Sequence, residues 1–253
     1  MLLKDQTIVV TGVCNEKSIA WGVVKALHRE GAKLVLTYNR DKSLRKITKL
    51  LKESDMDAAA VVHCDILDDR SIETAFREIK EHAGTVHGLV HSIAFADRLE
   101  GEFIDTTRDG YLLAQNASAY SLVALAKQAC ELMTEGGSIV TQTYLGSTRV
   151  VKNYHVMGVA KAALEANVRY LAEDLGRRGI RVNAVSSGPV LTSASSAIAD
   201  FHELQADVER RAPLRRNVSQ DEVGDATMFL LSRLARGITG EVLHVDAGFN
   251  VLG

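Results

Sequence analysis

Short β-branched runs recur along the whole chain, at Thr7 to Thr11, Lys33 to Tyr38, Ala58 to Cys64, Val86 to Ile93, Ser138 to Tyr144, Ile180 to Ser186 and Val242 to Val245. A strand covered on one face alternates between apolar and polar residues. These runs are nearly continuously apolar, which predicts a sheet buried on both sides. Between them lie segments of helical period, such as Ile19, Val23, Val24, Leu27 and Leu44, Ile47, Leu50, Leu51. The pattern is a βαβ series, so the chain is an α/β protein with parallel strands joined by helices. Seven strands fit a doubly wound parallel sheet with helices on both faces. An eight-stranded barrel, the alternative at this length, needs one more unit.

The chain has 253 residues, 46% of them hydrophobic, enough to bury a large core, and its two prolines and lack of a Gly/Ser-rich or charged linker predict one domain over residues 1–253. Thirty Lys and Arg against 32 Asp and Glu leave a formal net charge of -2, which argues against nucleic acid or an anionic membrane as a partner. No apolar run reaches the roughly 18 to 20 residues of a membrane helix. Met1 to Gln6 leads straight into the first strand without the features of a signal peptide. The three cysteines, Cys14, Cys64 and Cys130, are widely spaced without a CxxC pair and read as reduced thiols of a cytoplasmic protein.

The first strand runs into Val10-Thr11-Gly12, and a helix opens around Ser18 and Ile19, where the pyrophosphate of a dinucleotide sits in a Rossmann-like sheet. GxGxxG is absent. In its place come Gly12, a five-residue loop and Ser18, whose hydroxyl is suited to capping the helix or binding a phosphate, while Gly22 is expected to let helix and strand pack closely. An ordinary βα turn with a serine cap is the plainer alternative. After the second strand, Asn39 and Arg40 stand where an acid would hold the adenosine ribose of NADH, with Lys42, Arg45 and Lys46 beside them. Such a cluster favours NADPH, whose 2′-phosphate it can meet with charge-assisted hydrogen bonds, over NADH. Asp65 and Ile66 close the third strand and Ser92 and Ile93 the fourth, at the carboxyl edge where open α/β sheets bind ligands. His87 and His91 lack the further ligands a metal site requires, so no metal is expected.

Three Tyr–Lys pairs compete for a catalytic role. Tyr38 and Lys42 are four residues apart, whereas Tyr120 and Lys127, and Tyr154 and Lys161, are seven apart. At ~100° per residue, seven steps return a helical side chain to within roughly 20° of the same face. Spacing does not separate the last two pairs, but position in the fold does. Tyr154 follows the carboxyl end of the fifth strand, Tyr120 sits in the helix before it, and Tyr38 lies at the adenosine end.

With Thr11-Gly12-Val13 and Ser18-Ile19-Ala20, His91 to Ala96, Tyr144-Leu145-Gly146, Asn153-Tyr154, Val156 to Ala162, Arg181 to Val185, Gly188-Pro189, Gly240-Glu241, His244 to Asp246 and Gly248-Phe249, the chain resembles the enoyl-acyl carrier protein reductases over essentially its whole length. These are divergent short-chain dehydrogenases, set apart by six residues between Tyr and Lys. The resemblance implies hydride transfer from NAD(P)H to the β-carbon of a trans-2-enoyl thioester, on acyl carrier protein or CoA, in fatty acid biosynthesis. It implies that Tyr154 stabilises the resulting enolate. By the same resemblance Lys161 holds the nicotinamide ribose and lowers the Tyr154 pKa, Tyr144 borders the acyl pocket with Ala96, and Val190, Thr192 and their neighbours touch the nicotinamide end. Residues from about 190 to 212 are implied to form a mobile lid, and the assembly a homotetramer.

Several positions depart from the family pattern: Lys152 and His155 beside Tyr154 replace proline and asparagine, and Leu191 and Ser193 replace arginine and leucine. The lid segment Ile198 to Asp207 carries Asp200, Glu203 and Asp207 where relatives are basic. Docking of an acidic carrier would then fall to Arg210, Arg211, Arg215 and Arg216, unless these form internal salt bridges. Small residues at Ala124, Ala126, Ala129, Ala160, Ala162, Ala163, Ala166 and Ala172 predict surplus apolar faces for subunit contact. Two alternatives remain, a carbonyl-reducing dehydrogenase, which requires a shorter Tyr–Lys spacing, and a non-enzymatic dinucleotide sensor.

Overall fold

The structure, a computed structural model, describes residues 1–97, 99, 101–192, 195 and 199–252. Ser193, Ala194 and Ile198 of the expected lid lie outside them. Seven strands, β1 (Thr7–Val10), β2 (Lys33–Tyr38), β3 (Ala60–His63), β4 (Gly88–His91), β5 (Gly137–Tyr144), β6 (Ile180–Ser187) and β7 (Val242–Val245), pair in parallel in the order β3-β2-β1-β4-β5-β6-β7. The doubly wound, Rossmann-like reading therefore holds and the barrel does not. The period of two explains the unbroken apolar runs. Ile8, Val10, Leu34 and Leu36 enter one core cluster, while Val9 and Val35 between them enter the other.

Helices α1 (Ile19–Arg29), α2 (Asp41–Glu53), α3 (Asp69–Ala83), α4 (Arg108–Gln115), α5 (Ser121–Leu132), α6 (His155–Gly176), α7 (Phe201–Arg211) and α8 (Gln220–Leu231) connect the strands. Leu27 of α1 and Val223 of α8 fill the first cluster, and Phe76 of α3, Leu125 of α5 and Leu164 of α6 the second. Full burial of one such side chain contributes roughly 1.5–3 kcal/mol. No helix among the described residues is long and apolar enough to cross a membrane.

Four details differ from the expectations. The fourth strand stops at His91 instead of Ile93, because β1 has ended at Val10 and Gly12 turns away, leaving Ser92 to Ala96 without a ladder partner. The helix expected from Tyr120 starts earlier, since α4 runs through a π-turn at Asn116–Tyr120 into α5. Gly22 packs α1 against α8 and not against a strand. A Cβ there would fall 2.6 Å from the Gln220 carbonyl, and one at Gly224 would fall 2.5 Å from that of Gly22. Of the small residues expected on free faces, Ala124, Ala126, Ala129, Ala160 and Ala172 are buried within the chain. Ala162 is exposed, and Tyr111, Leu112, Tyr120 and Tyr170 are exposed apolar side chains of the same helical segments.

Candidate active site

The strand order reverses between β1 and β4, the place where doubly wound sheets open a crevice for a ligand. Gly12 makes that approach. At φ +86° it adopts the left-handed region, and any Cβ would collide with the Ser92 carbonyl. Thr11 stitches the two strands, its hydroxyl donating to Val90 O at 2.9 Å and accepting from the Ser92 N–H at 3.3 Å. Ser18 takes the N-cap position of α1, but its hydroxyl donates to Asn15 O at 2.7 Å and so does not cap a helix N–H. The first-turn amides next to Ile19 thus have no side-chain cap, and the crevice fits a dinucleotide pyrophosphate.

At the far end of the crevice Asn39 and Arg40 are exposed after β2, with Arg40 in extended conformation at the N-cap of α2. Arg40, Lys42, Arg45 and Lys46 form no ion pair with any described carboxylate. Asp65 and Ile66 are half-buried after β3, where one Asp65 oxygen accepts from Leu67 N–H at 3.0 Å. The two histidines of β4's surroundings are both engaged: His87 Nδ1 accepts from Thr7 N–H at 3.0 Å, and His91 bonds Thr141 Oγ1 and Ser121 Oγ, each at 2.8 Å. Burial, reinforced by Lys161, drives the His91 pKa down to about 3.

The structure packs Tyr144, the last residue of β5, against Tyr154 and holds Lys161 on the carbonyl of Gln142, two residues earlier on the same strand. The rings of Tyr144 and Tyr154 meet edge to face, 4.9 Å apart at 71°. Tyr154 is only 8% exposed. It precedes α6 between two residues of positive φ, Asn153 at 62° and His155 at 40°, so helical periodicity does not place it. Glycines do. A Cβ at Gly146 would fall 2.5 Å from Tyr154 Cδ1, and one at Gly158 2.7 Å from the Gly146 carbonyl. Lys161 is buried on α6 and its ammonium donates to Gln142 O at 2.7 Å.

Burial dominates the electrostatics of this cluster. It raises the Tyr144 phenol to about 12 and, with Tyr144 adding, holds Tyr154 well above its ordinary value. It pulls Lys161 down to about 8, against the opposing pull of Glu165. Desolvation of the phenolate, with Tyr144 adding, sets the direction of the Tyr154 shift. Of the competing pairs, Tyr120 is 50% exposed in the π-turn, and Tyr38 packs edge-on against His63 with centroids 5.4 Å apart.

Ala96 is half-buried next to Phe95, whose N–H donates to Ser118 Oγ at 2.9 Å and whose carbonyl accepts from it at 3.0 Å. Across the site Val190 and Thr192 are half-buried, tied by Ser195, which accepts from Thr192 N–H at 2.7 Å and donates to Val190 O at 3.0 Å. The loop before Tyr154 clasps the start of α7: Lys152 Nζ lies 2.9 Å from Asp200 Oδ2, and Asn153 Nδ2 donates to Ala199 O at 2.9 Å. Arg210 and Arg211 pair with Asp207, Arg216 with Glu222, and Arg215 donates to the Arg210 carbonyl. The alternative of internal salt bridges thus describes Arg210, Arg211 and Arg216, while Arg215 is held by a backbone carbonyl.

The family model described as enoyl-(acyl carrier protein) reductase matches residues 12–250. The chain belongs to the enoyl-(acyl carrier protein) reductase family. It is 53% identical over 254 residues to the NADH-named enoyl-[acyl-carrier-protein] reductase of Bacillus cereus, covering 100% of this chain and 99% of that protein. It is 48% identical over 252 residues to the NADPH-named reductase of Staphylococcus aureus, covering 99% and 98%. Among solved structures it superposes on the Bacillus cereus reductase, crystallised with NADP+ and an indole naphthyridinone, with a TM-score of 0.97, 53% identity and coverage of 100% and 99%. Membership decides between the enoyl reductase and the carbonyl-reducing or non-enzymatic alternatives. In this reductase the sequence pattern gave no role to Gly146, Asn153, Gly158 or Ser118, although the first three stand within the motifs that carry the resemblance. A glycine two residues after Tyr144 and another four residues after Tyr154 were the available signal.

Proposed function

We propose that this enoyl-(acyl carrier protein) reductase works through Tyr154 as the hydrogen-bond donor to the thioester, Lys161 as the ligand of the cofactor ribose and Tyr144 as a wall of the acyl pocket. Its reaction is the NAD(P)H-dependent reduction of the trans-2 double bond of enoyl thioesters in fatty acid biosynthesis. When bound, the reduced cofactor would supply a hydride to the β-carbon, and a proton added at the α-carbon would complete the reduction. As charge develops on the thioester oxygen, the Tyr154 hydroxyl stabilises it by a hydrogen bond, and its raised pKa keeps that proton in place throughout the neutral range. The buried packing of Tyr154 against Gly146 and Tyr144 is the observation that carries this reading, since it orients the hydroxyl in advance and excludes water.

Gly12, Ser18, Ile19, Asp65, Ile66, Ser92 and Ile93 line the dinucleotide crevice in this proposal, with Val190 and Thr192 at the nicotinamide end. NADPH is preferred over NADH, because Arg40 and its unpaired neighbours offer a 2′-phosphate charge-assisted hydrogen bonds and Asn39 gives the ribose no carboxylate. Residues 190–212 act as a lid over one dinucleotide-binding unit, held by the Lys152–Asp200 clasp. Exposed Leu112, Tyr120 and Tyr170 support assembly with further copies, as a homotetramer, and three free cysteines fit a cytoplasmic enzyme. The test is oxidation of NADPH and of NADH with crotonyl-CoA, compared with acetoacetyl-CoA. Turnover on the enoyl thioester, higher with NADPH, is expected, and turnover on acetoacetyl-CoA alone would overturn the proposal.

A further inference from the structure

One turn of α6 beyond Lys161 lies a carboxylate to which neither the chemistry nor the cofactor crevice assigns a role. Glu165 is 6% exposed, although carboxylates are seldom so deeply buried without compensation. Its Oε1 accepts the Thr143 hydroxyl hydrogen at 2.7 Å. The preceding residue of β5 is Gln142, whose carbonyl accepts from the Lys161 ammonium at 2.7 Å. Two successive residues of one strand therefore hold the cation and the anion of the same helix face.

The surroundings leave Glu165 as the counter-charge. From β4, His91 is kept neutral by burial and by Lys161 itself. From β5 and the start of α6, Tyr144 and Tyr154 are phenols whose ionisation burial opposes. Among the described residues that act on Lys161, Glu165 alone favours its charged form. We propose that Glu165 is a positioning residue that keeps the buried Lys161 ammonium charged and seated on Gln142 O, ready for the cofactor ribose, without itself touching cofactor or substrate. That role rests on Lys161 binding the ribose. A buried ammonium with a buried carboxylate one turn away stays protonated to higher pH than one without.

Titration of the full-length enzyme with NADH by fluorescence from pH 6 to 9 tests this, since NADH lacks the 2′-phosphate that titrates near the low end of that range. Affinity depends on the protonated amine, so the wild-type Kd should be flat at low pH and rise through about 8. In Glu165→Gln the rise should begin about one pH unit lower, making binding roughly threefold weaker at pH 7.5 and unchanged at pH 6. Thr143→Val, which removes the hydrogen bond and keeps the charge, should retain the wild-type midpoint. If Glu165→Gln does not fold, Glu165→Asp, which withdraws the charge by one methylene, should move the midpoint the same way by a smaller amount. A midpoint unmoved in the Glu165 variant that folds, or equal weakening at every pH, overturns the role of Glu165 while leaving Lys161 as the ribose ligand. A wild-type Kd that does not rise between pH 7 and 9 overturns the Lys161 assignment and this proposal with it.

Discussion

Gly146 and the ring of Tyr154 are in such close register that a single added carbon at 146 would stand 2.5 Å from Tyr154 Cδ1. In the proposed mechanism the hydroxyl that would meet the substrate is thus aimed by a residue eight positions earlier in the chain. Gly146→Ala is expected to push the ring aside and lower kcat about 100-fold, with a stability cost of about 1–3 kcal/mol and unchanged NADPH affinity. Steady-state kinetics with crotonyl-CoA, together with cofactor titration, checks it. A variant with wild-type kcat would mean that the ring has room to move.

Strand positions were legible in the sequence because burial on both faces leaves Val9 and Val35 no less apolar than their neighbours. Position after the fifth strand favours Tyr154 over Tyr120, and the structure packs Tyr154 in the interior against Tyr144 while Tyr120 stays exposed. What stayed hidden are relationships between distant segments: the fit of Gly22 against Gln220, the Ser118 clamp on Phe95 and the burial of Glu165 beneath β5. A π-turn at Asn116–Tyr120 shifts the helical phase, and no local composition marks it. His155 at positive φ likewise breaks the seven-residue arithmetic at its first step.

Arg40 has no partner carboxylate among the described residues, and its exposure leaves it available to a phosphate. Arg40→Ala should raise KM for NADPH by about tenfold, in line with the 1–3 kcal/mol scale of a partly solvated charge-assisted contact, and leave KM for NADH within about twofold. Parallel initial-rate measurements with the two cofactors decide it. Equal effects would make Arg40 a solvated helix-start residue.

His91 links pH to stability. Its pKa falls from the ordinary 6.5 to about 3 on folding, so below 6.5 the unfolded chain takes up a proton that the folded one refuses. The stability contribution is fully present above 6.5 and is lost as pH drops towards 3, by up to roughly 1.4 kcal/mol per pH unit. Tm measured from pH 7 to 4 should therefore fall less steeply in His91→Gln than in the wild type. Identical slopes would show that His91 is not the group responsible.

Arg210 and Arg211 are already paired with Asp207 and Arg216 with Glu222, and α7 presents Glu203 to solvent. Raising ionic strength should therefore reduce kcat/KM on an acyl carrier protein substrate only about as much as on the CoA thioester. A steep loss confined to the carrier substrate, abolished by Arg210→Ala with Arg211→Ala, would place electrostatic docking on that cluster.

The most direct test of the mechanism is Tyr154→Phe, which removes one hydroxyl from a buried ring and leaves the dinucleotide crevice intact. Turnover of crotonyl-CoA should fall about 100- to 1000-fold, the scale of losing a donor to a developing oxyanion, with NADPH affinity unchanged. Turnover within about twofold of the wild type would contradict the assignment of Tyr154 as the group that stabilises the enolate.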